Sequence, residues 1–159
     1  MIIEDNLLDM EDYDLLENAI VNPFFPWFFQ NEQTWNDDPY FSHSLYCNDL
    51  VQSKFYKPVL DIFKKYIKWI ALYRMNINLC TKHSTSNFHT DTNGRENEEK
   101  MTTAIYYLNT NNGYTEFEDG TKVDSVENRL VVFPTNTPHR AAGQTDTNKR
   151  IVINFNYIG

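Results

Sequence analysis

Apolar side chains in "SKFYKPVLDIFKKYIKWIAL" recur every three or four residues: Val59, Ile62, Phe63, Tyr66, Ile67 and Ile70, with lysines between them. That spacing gathers the apolar set on one face of a helix and leaves the lysines on the other. Pro58 fits a first turn, where a missing N–H costs nothing. The pattern predicts a long amphipathic helix at about residues 54–70. Directly afterwards the period drops to two. In "LYRMNINLC", Leu72, Arg74, Asn76 and Asn78 fall on one side and Tyr73, Met75, Ile77 and Leu79 on the other, as along a strand. From there every structured stretch reads as strand. "MTTAIYYLNT", "TEFEDGTKVD", "NRLVVFP" and "RIVINFNYI" are rich in β-branched and aromatic residues, with turns at "NNGY" and "EDGT".

The opening "MIIEDNLLDMEDYDLLENAI" is acidic with scattered Leu and Ile, and predicts a short helix or an edge strand whose charges face solvent. "VNPFFPWFFQ" is broken by Pro23 and Pro26. Its aromatics read as a loop packed onto a core, or as the lining of a pocket. Helices first and about seven strands afterwards is an α+β order, mainly β. It predicts a sandwich or barrel with N-terminal helices packed on one face. A single domain is expected, with a mixed helical part over 1–71 and a β core over 72–159.

With 159 residues, 41% hydrophobic and 15% aromatic, the chain can bury one real core and does not read as disordered. A net charge of −8 with no Lys/Arg cluster argues against a nucleic-acid partner. Two cysteines, Cys47 and Cys80, are too few for a disulfide framework and read as free thiols in a reducing compartment. No basic leader opens the chain and no apolar run is long enough to span a bilayer, so a cytoplasmic protein away from membranes is expected.

Two positions in "NFHTDTNG" change this picture. His89 and Asp91 sit one residue apart after the first strand of the β run, and His139 follows the later strand "NRLVVFPTNTP". An H-x-D pair alone reads as easily as a polar loop. Two imidazoles and one carboxylate at neighbouring strand ends are another matter, because they bind one face of a metal and leave the other open, the ligand set of non-haem Fe(II) oxygenases. A closed zinc site would want a fourth protein ligand, usually a thiolate, and neither cysteine is near in sequence. Arg150, eleven residues after His139, opens the last strand. It reads either as a surface arginine or as the fork that grips a carboxylate, with Lys149 beside it as the weaker candidate.

"FHTD", "TTAIYYLN", "GYTEFED", "NRLVVFPTNTPHRA" and "KRIVINF" are similar, in order and spacing, to the 2-oxoglutarate/Fe(II)-dependent dioxygenase superfamily, in its prolyl-4-hydroxylase-like branch. The resemblance covers about residues 72–157. It implies a double-stranded β-helix (jelly roll) and a dioxygenase that couples decarboxylation of 2-oxoglutarate to hydroxylation of a substrate, with ascorbate as an aid in vitro. It implies Fe(II) held by His89, Asp91 and His139, and 2-oxoglutarate anchored by Arg150. Tyr107 maps to a tyrosine that shares the same carboxylate, though it reads equally as a core aromatic. Asn78 maps to a polar contact of the cosubstrate. Two departures stand out. Tyr114 follows Gly113 where the family often has Gly-Gly, which points to an altered substrate side. Asn128 replaces a glycine and can keep a left-handed turn.

The remaining features are weaker. His43 reads as structural, His83 as a loop residue near the site, and Arg140 as facing the pocket or capping a loop. The polar stretch "TNGRENEEK" over 92–100 reads as a lid. The substrate is a small molecule or a peptide, a peptidyl proline being what the resemblance suggests. A cupin-like metal-binding module without oxygenase activity is the main alternative, set apart by Arg150, which it would not need. A zinc hydrolase ranks behind it for want of a general base.

Overall fold

A computed structural model describes residues 1–30, 40–91 and 98–159. An edge strand β1 (Ile2–Asp5) and a helix α1 (Met10–Ile20) come first, so the opening segment holds both of its predicted alternatives. Asp9 caps α1, its carboxylate accepting the Asp12 N–H at 2.9 Å. Tyr13, Leu16 and Ile20 recur at helical spacing and are the apolar side chains that α1 buries, with Asp12 buried beside them.

β2 (Phe28–Gln30), β3 (Tyr40–Cys47) and β4 (Leu50–Val51) follow. None of the three was predicted. Helix α2 runs only from Tyr56 to Phe63, shorter than the 54–70 expected. After Ile62 the hydrogen bonds tighten to Lys65 N→Ile62 O and Tyr66 N→Phe63 O, and the chain then turns to join the sheet through Ile70 N→Ile158 O. Ile67 is buried outside the helix, while Ile70, which carries the pattern further, is 85% exposed. Seven strands follow among the described residues: β5 (Ala71–Cys80), β6 (Thr102–Tyr107), β7 (Tyr114–Phe117), β8 (Lys122–Asp124), β9 (Arg129–Pro134), β10 (His139–Ala142) and β11 (Arg150–Ile158). Of the supposed lid, 92–97 lie outside the described residues, and Glu98–Lys100 form a 3-10 turn.

The major sheet has eight strands in the order β1-β9-β6-β11-β5-β3-β2, with β4 paired to β3; the minor sheet is β10-β7-β8. The pairs are antiparallel. This is the jelly-roll arrangement, with both helices against the outer face of the major sheet. Alternation sorts the side chains. Met75 and Ile77 of β5, Tyr106 of β6, and Ile151, Ile153 and Phe155 of β11 join Leu16, Val59 and Phe63 in the core under the helices. Ile105, Tyr107, Phe117, Val131, Phe133 and Val152 fill the space between the sheets. Burying a side chain such as Phe63 contributes about 2–3 kcal/mol.

The outer core therefore frees the inner face of β5 and β11 for polar work. Arg74, Asn76, Asn78 and Cys80 stand opposite Asn156, Asn154, Val152 and Arg150 in register. Asn128 takes a left-handed turn (φ 58°), as its replacement of a glycine requires, and its amide pairs with both N–H and C=O of Leu8. His43 is buried and bonded to Pro26 O and Ser53 Oγ, both at 2.6 Å, a packing role.

Candidate metal centre

His89 and His139 meet across an isolated antiparallel bridge, each backbone N–H donating to the other's carbonyl at 3.0 Å. The bridge brings the segment before Asp91 to the start of β10. Each imidazole sets its Nδ1 2.9 Å from a carbonyl two residues back, Asn87 O for His89 and Thr137 O for His139. A carbonyl only accepts, so Nδ1 carries a proton in both rings and Nε2 is the nitrogen left to bind a metal. Phe133 packs edge-on against His139 at 4.8 Å and fixes that ring. One ligand atom from each of His89, Asp91 and His139 lies within 4.8 Å of the others, and no fourth His, Cys, Asp or Glu joins the group among the described residues.

Burial pushes the Asp91 carboxyl up, but the Arg74 guanidinium, the His139 ring and the Asn156 amide outweigh it and hold the pKa at about 2. His139 is pushed below the ordinary histidine value, by burial first and by His89, against the pull of Asp91. Near neutral pH the group thus offers a carboxylate and a neutral His139 ring. Two imidazole nitrogens and one carboxylate oxygen on one side suit a divalent transition metal with open positions and do not complete a structural zinc site.

These residues stand on the wall of a cavity of about 220 Å³, which also includes Ser42, Asn76, Asn78, Thr115, Arg150 and Asn154. The buried amide oxygens of Asn76 and Asn154, opposite each other in register, have no hydrogen-bond partner. Such groups ask for a ligand or water. At the far end lies Arg150, only 2% exposed. Its Nε donates to Ser125 Oγ at 2.6 Å and its Nη2 to Thr115 Oγ1 at 3.2 Å. Among the described residues no carboxylate pairs with it. A buried guanidinium among neutral groups, two hydroxyls, the Cys80 thiol and the Tyr107 ring, has no counter-charge there. Lys149 beside it is exposed. Gly113 makes room for the arginine, because a Cβ there would stand 3.1 Å from Arg150 Cδ and 2.9 Å from Ala142 O.

Tyr107 is fully buried and stands one layer behind this wall. Its hydroxyl donates to Thr115 Oγ1 at 2.8 Å, and the Arg150 guanidinium lies 5.5 Å from its ring centre. Asn78 is on the wall itself. Tyr114 is not, contrary to the expectation of an altered substrate side: Lys122 Nζ sits 4.5 Å over its ring on the minor sheet. His83 is exposed, in a left-handed turn (φ 66°), and is also off the wall. Arg140 does not line the cavity but covers the loop before His89. It pairs with Glu116 at 2.6 Å and covers the Phe88 ring at 4.6 Å.

Sequence reasoning missed Thr115 and Ser125, the hydroxyls on Arg150, and Arg74, Asn156 and Thr103, the partners of Asp91. A signal was present for Arg74. It shares one face of a central strand with Asn76 and Asn78 while the opposite face is apolar, which marks a wet interior rather than an open surface.

A family model described as 2OG-Fe(II) oxygenase superfamily matches residues 75–158. No curated protein matches the chain. Among solved structures, an oxidoreductase of the 2OG-Fe(II) oxygenase family from Burkholderia pseudomallei aligns with TM-score 0.71 at 12% identity, over 98% of this chain and 84% of the other. A Trichoplax adhaerens prolyl hydroxylase in complex with a hypoxia inducible factor oxygen degradation domain peptide aligns at 0.66 and 14%, over 99% and 82%. The viral collagen prolyl hydroxylase of Paramecium Bursaria Chlorella virus-1, a 2OG complex, aligns at 0.61 and 15%, over 99% and 96%. At these identities the likeness shows the jelly-roll fold.

Proposed function

This chain belongs to the 2OG-Fe(II) oxygenase superfamily, and from that premise we propose that His89, Asp91 and His139 hold the iron while Arg150 anchors 2-oxoglutarate. The protein is a dioxygenase that uses Fe(II) and 2-oxoglutarate. The iron, when bound, supplies the chemistry that joins O2 to decarboxylation of 2-oxoglutarate, giving succinate and CO2, and to oxidation of a substrate C–H bond.

The protein's own groups would do the rest. Arg150 would grip the distal carboxylate with a charge that no carboxylate among the described residues neutralises, Thr115 would set the angle of its fork, and Tyr107 would hold Thr115 from behind. Asn78 would contact the same molecule from β5. The orphan amides of Asn76 and Asn154 would accept hydrogen bonds from whatever fills the floor. The observation that carries this reading is Arg150, buried in the cavity that holds the triad with no carboxylate partner among the described residues. A plain metal-binding module would have no use for it.

For the substrate we propose a peptide, with a prolyl residue as the first candidate. The support is that two of the aligned structures are prolyl hydroxylases, one of them in complex with a peptide. The test is succinate formation from 2-oxoglutarate with Fe(II), ascorbate and O2, followed by mass spectrometry of a proline-containing peptide panel. Succinate that disappears in both His139→Ala and Arg150→Met supports the site. A 16 Da gain on a prolyl residue supports the substrate, and the same gain only on other residues overturns the prolyl assignment.

A further inference from the structure

Asp91 is held by a closed ring of donors. Its Oδ2 accepts from Thr103 Oγ1 and from Asn156 Nδ2, each at 2.9 Å, and its Oδ1 accepts from Arg74 Nη2 at 3.0 Å. The ring closes behind the carboxylate. Arg74 Nε donates to Asn156 Oδ1 at 2.8 Å, and Asn156 Nδ2 also donates to Thr103 Oγ1 at 2.9 Å. The three donors are neighbours in the sheet, since Asn156 of β11 pairs with Arg74 of β5 on one side and Thr103 of β6 on the other. A carboxylate offers about four lone-pair directions, two on each oxygen. Oδ2 has both occupied, while Oδ1 has one left.

We infer that Arg74 is a positioning residue: by holding Asp91 Oδ1 on one side and Asn156 on the other, it fixes the orientation in which the Asp91 carboxylate, whose Oδ2 is taken up by Thr103 and Asn156, would offer the remaining lone pair of Oδ1 to a metal. The inference rests on the reading of Asp91 as a metal ligand. Arg74 suits the task because one planar fork spans two targets, Asn156 Oδ1 through Nε and Asp91 Oδ1 through Nη2. With its side chain 27% exposed and that of Asp91 only 4%, it reaches the carboxylate from the cavity side.

A guanidinium that served only as counter-charge would act in the opposite direction. It would repel an incoming dication, and its removal would tighten metal binding. Mn(II) titration by calorimetry therefore separates the two roles. In Arg74→Met, Mn(II) should bind about 10- to 100-fold more weakly, the usual cost of losing a group that orients a metal ligand. Arg74→Lys keeps the charge without the fork and should stay well short of wild-type affinity, and it decides the matter if the Met variant does not fold. Unchanged or tighter binding in Arg74→Met, or wild-type binding in Arg74→Lys, overturns the inference. His139→Ala is run beside them. If it binds Mn(II) as the wild type does, the triad reading itself has failed, whereas loss there with normal Arg74→Lys binding sinks only the role of Arg74.

Discussion

At one end of the cavity a buried carboxylate, Asp91, has a guanidinium, an amide and a hydroxyl around it. At the other end a buried guanidinium, Arg150, has two hydroxyls and a thiol beside it and, among the described residues, no carboxylate. Both are charges taken out of water, which is costly unless they are paired. The first end is electrically complete within the chain, so its charge serves the fold as well as a metal. The second is left open at a cost to the fold, and such a cost persists where a ligand supplies the missing partner. The contrast separates a group that shapes a site from a group that awaits an occupant.

Variants can break the contrast at either end. The largest effect expected is on the metal: His139→Ala removes a proposed ligand, and Mn(II) affinity should fall by more than the 10- to 100-fold typical of supporting residues. Next comes stability without ligand. Arg74→Met strands Asp91 and should lower the free energy of urea unfolding by about 2–3 kcal/mol, somewhat less than a fully buried broken pair. Arg150→Met should leave it within about 1 kcal/mol, because removal of an unpaired buried charge offsets the two hydroxyls left without a donor. A loss as large as that of Arg74→Met would mean that Arg150 is paired in some way this account misses.

Acid sharpens the same difference. The folded-state pKa of Asp91 is held below its unfolded value, so its contribution is present above about pH 4 and is lost as pH falls through about 2. Metal-free protein should therefore lose about 2–3 kcal/mol over that window from this group, and urea titrations of Asp91→Asn should lack that part of the slope. The smallest effect is at Lys149, exposed beside Arg150. Lys149→Ala should change 2-oxoglutarate affinity less than twofold by calorimetry.

What was legible in the sequence follows the same division. Strands β5, β6, β9 and β11 were legible because their outward residues, such as Met75, Tyr106, Leu130 and Phe155, form a core against the helices, whereas β10, "HRAA", carries no such contrast and was not predicted. His89, Asp91, His139 and Arg150 could be picked out as candidates only together, because each alone has a bland reading and it is their order and spacing at strand ends that resembles a known family. β3 was not, since "YFSHSLYC" puts Tyr40 and Ser42 on the cavity wall and His43 in the packing, which blurs the contrast between its faces. Helix α2 was read too long because the chain stays partly coiled after Phe63, with Ile67 N–H still donating to Phe63 O and its side chain still buried. Thr115, Ser125, Thr103 and Asn156 were invisible, because a hydroxyl or amide on a strand looks the same facing a cavity as facing water. Their roles exist only once the register sets them against Arg150 and Asp91.

The central claim is that Arg150 marks the seat of a carboxylate ligand. Its most direct test is calorimetric titration of 2-oxoglutarate into Mn(II)-loaded wild type and Arg150→Met, with manganese as a redox-silent substitute for iron. The account predicts one-to-one binding to the wild type and a loss of about 2–5 kcal/mol, roughly 30-fold or more, in the variant. Equal affinity in the two proteins would contradict it.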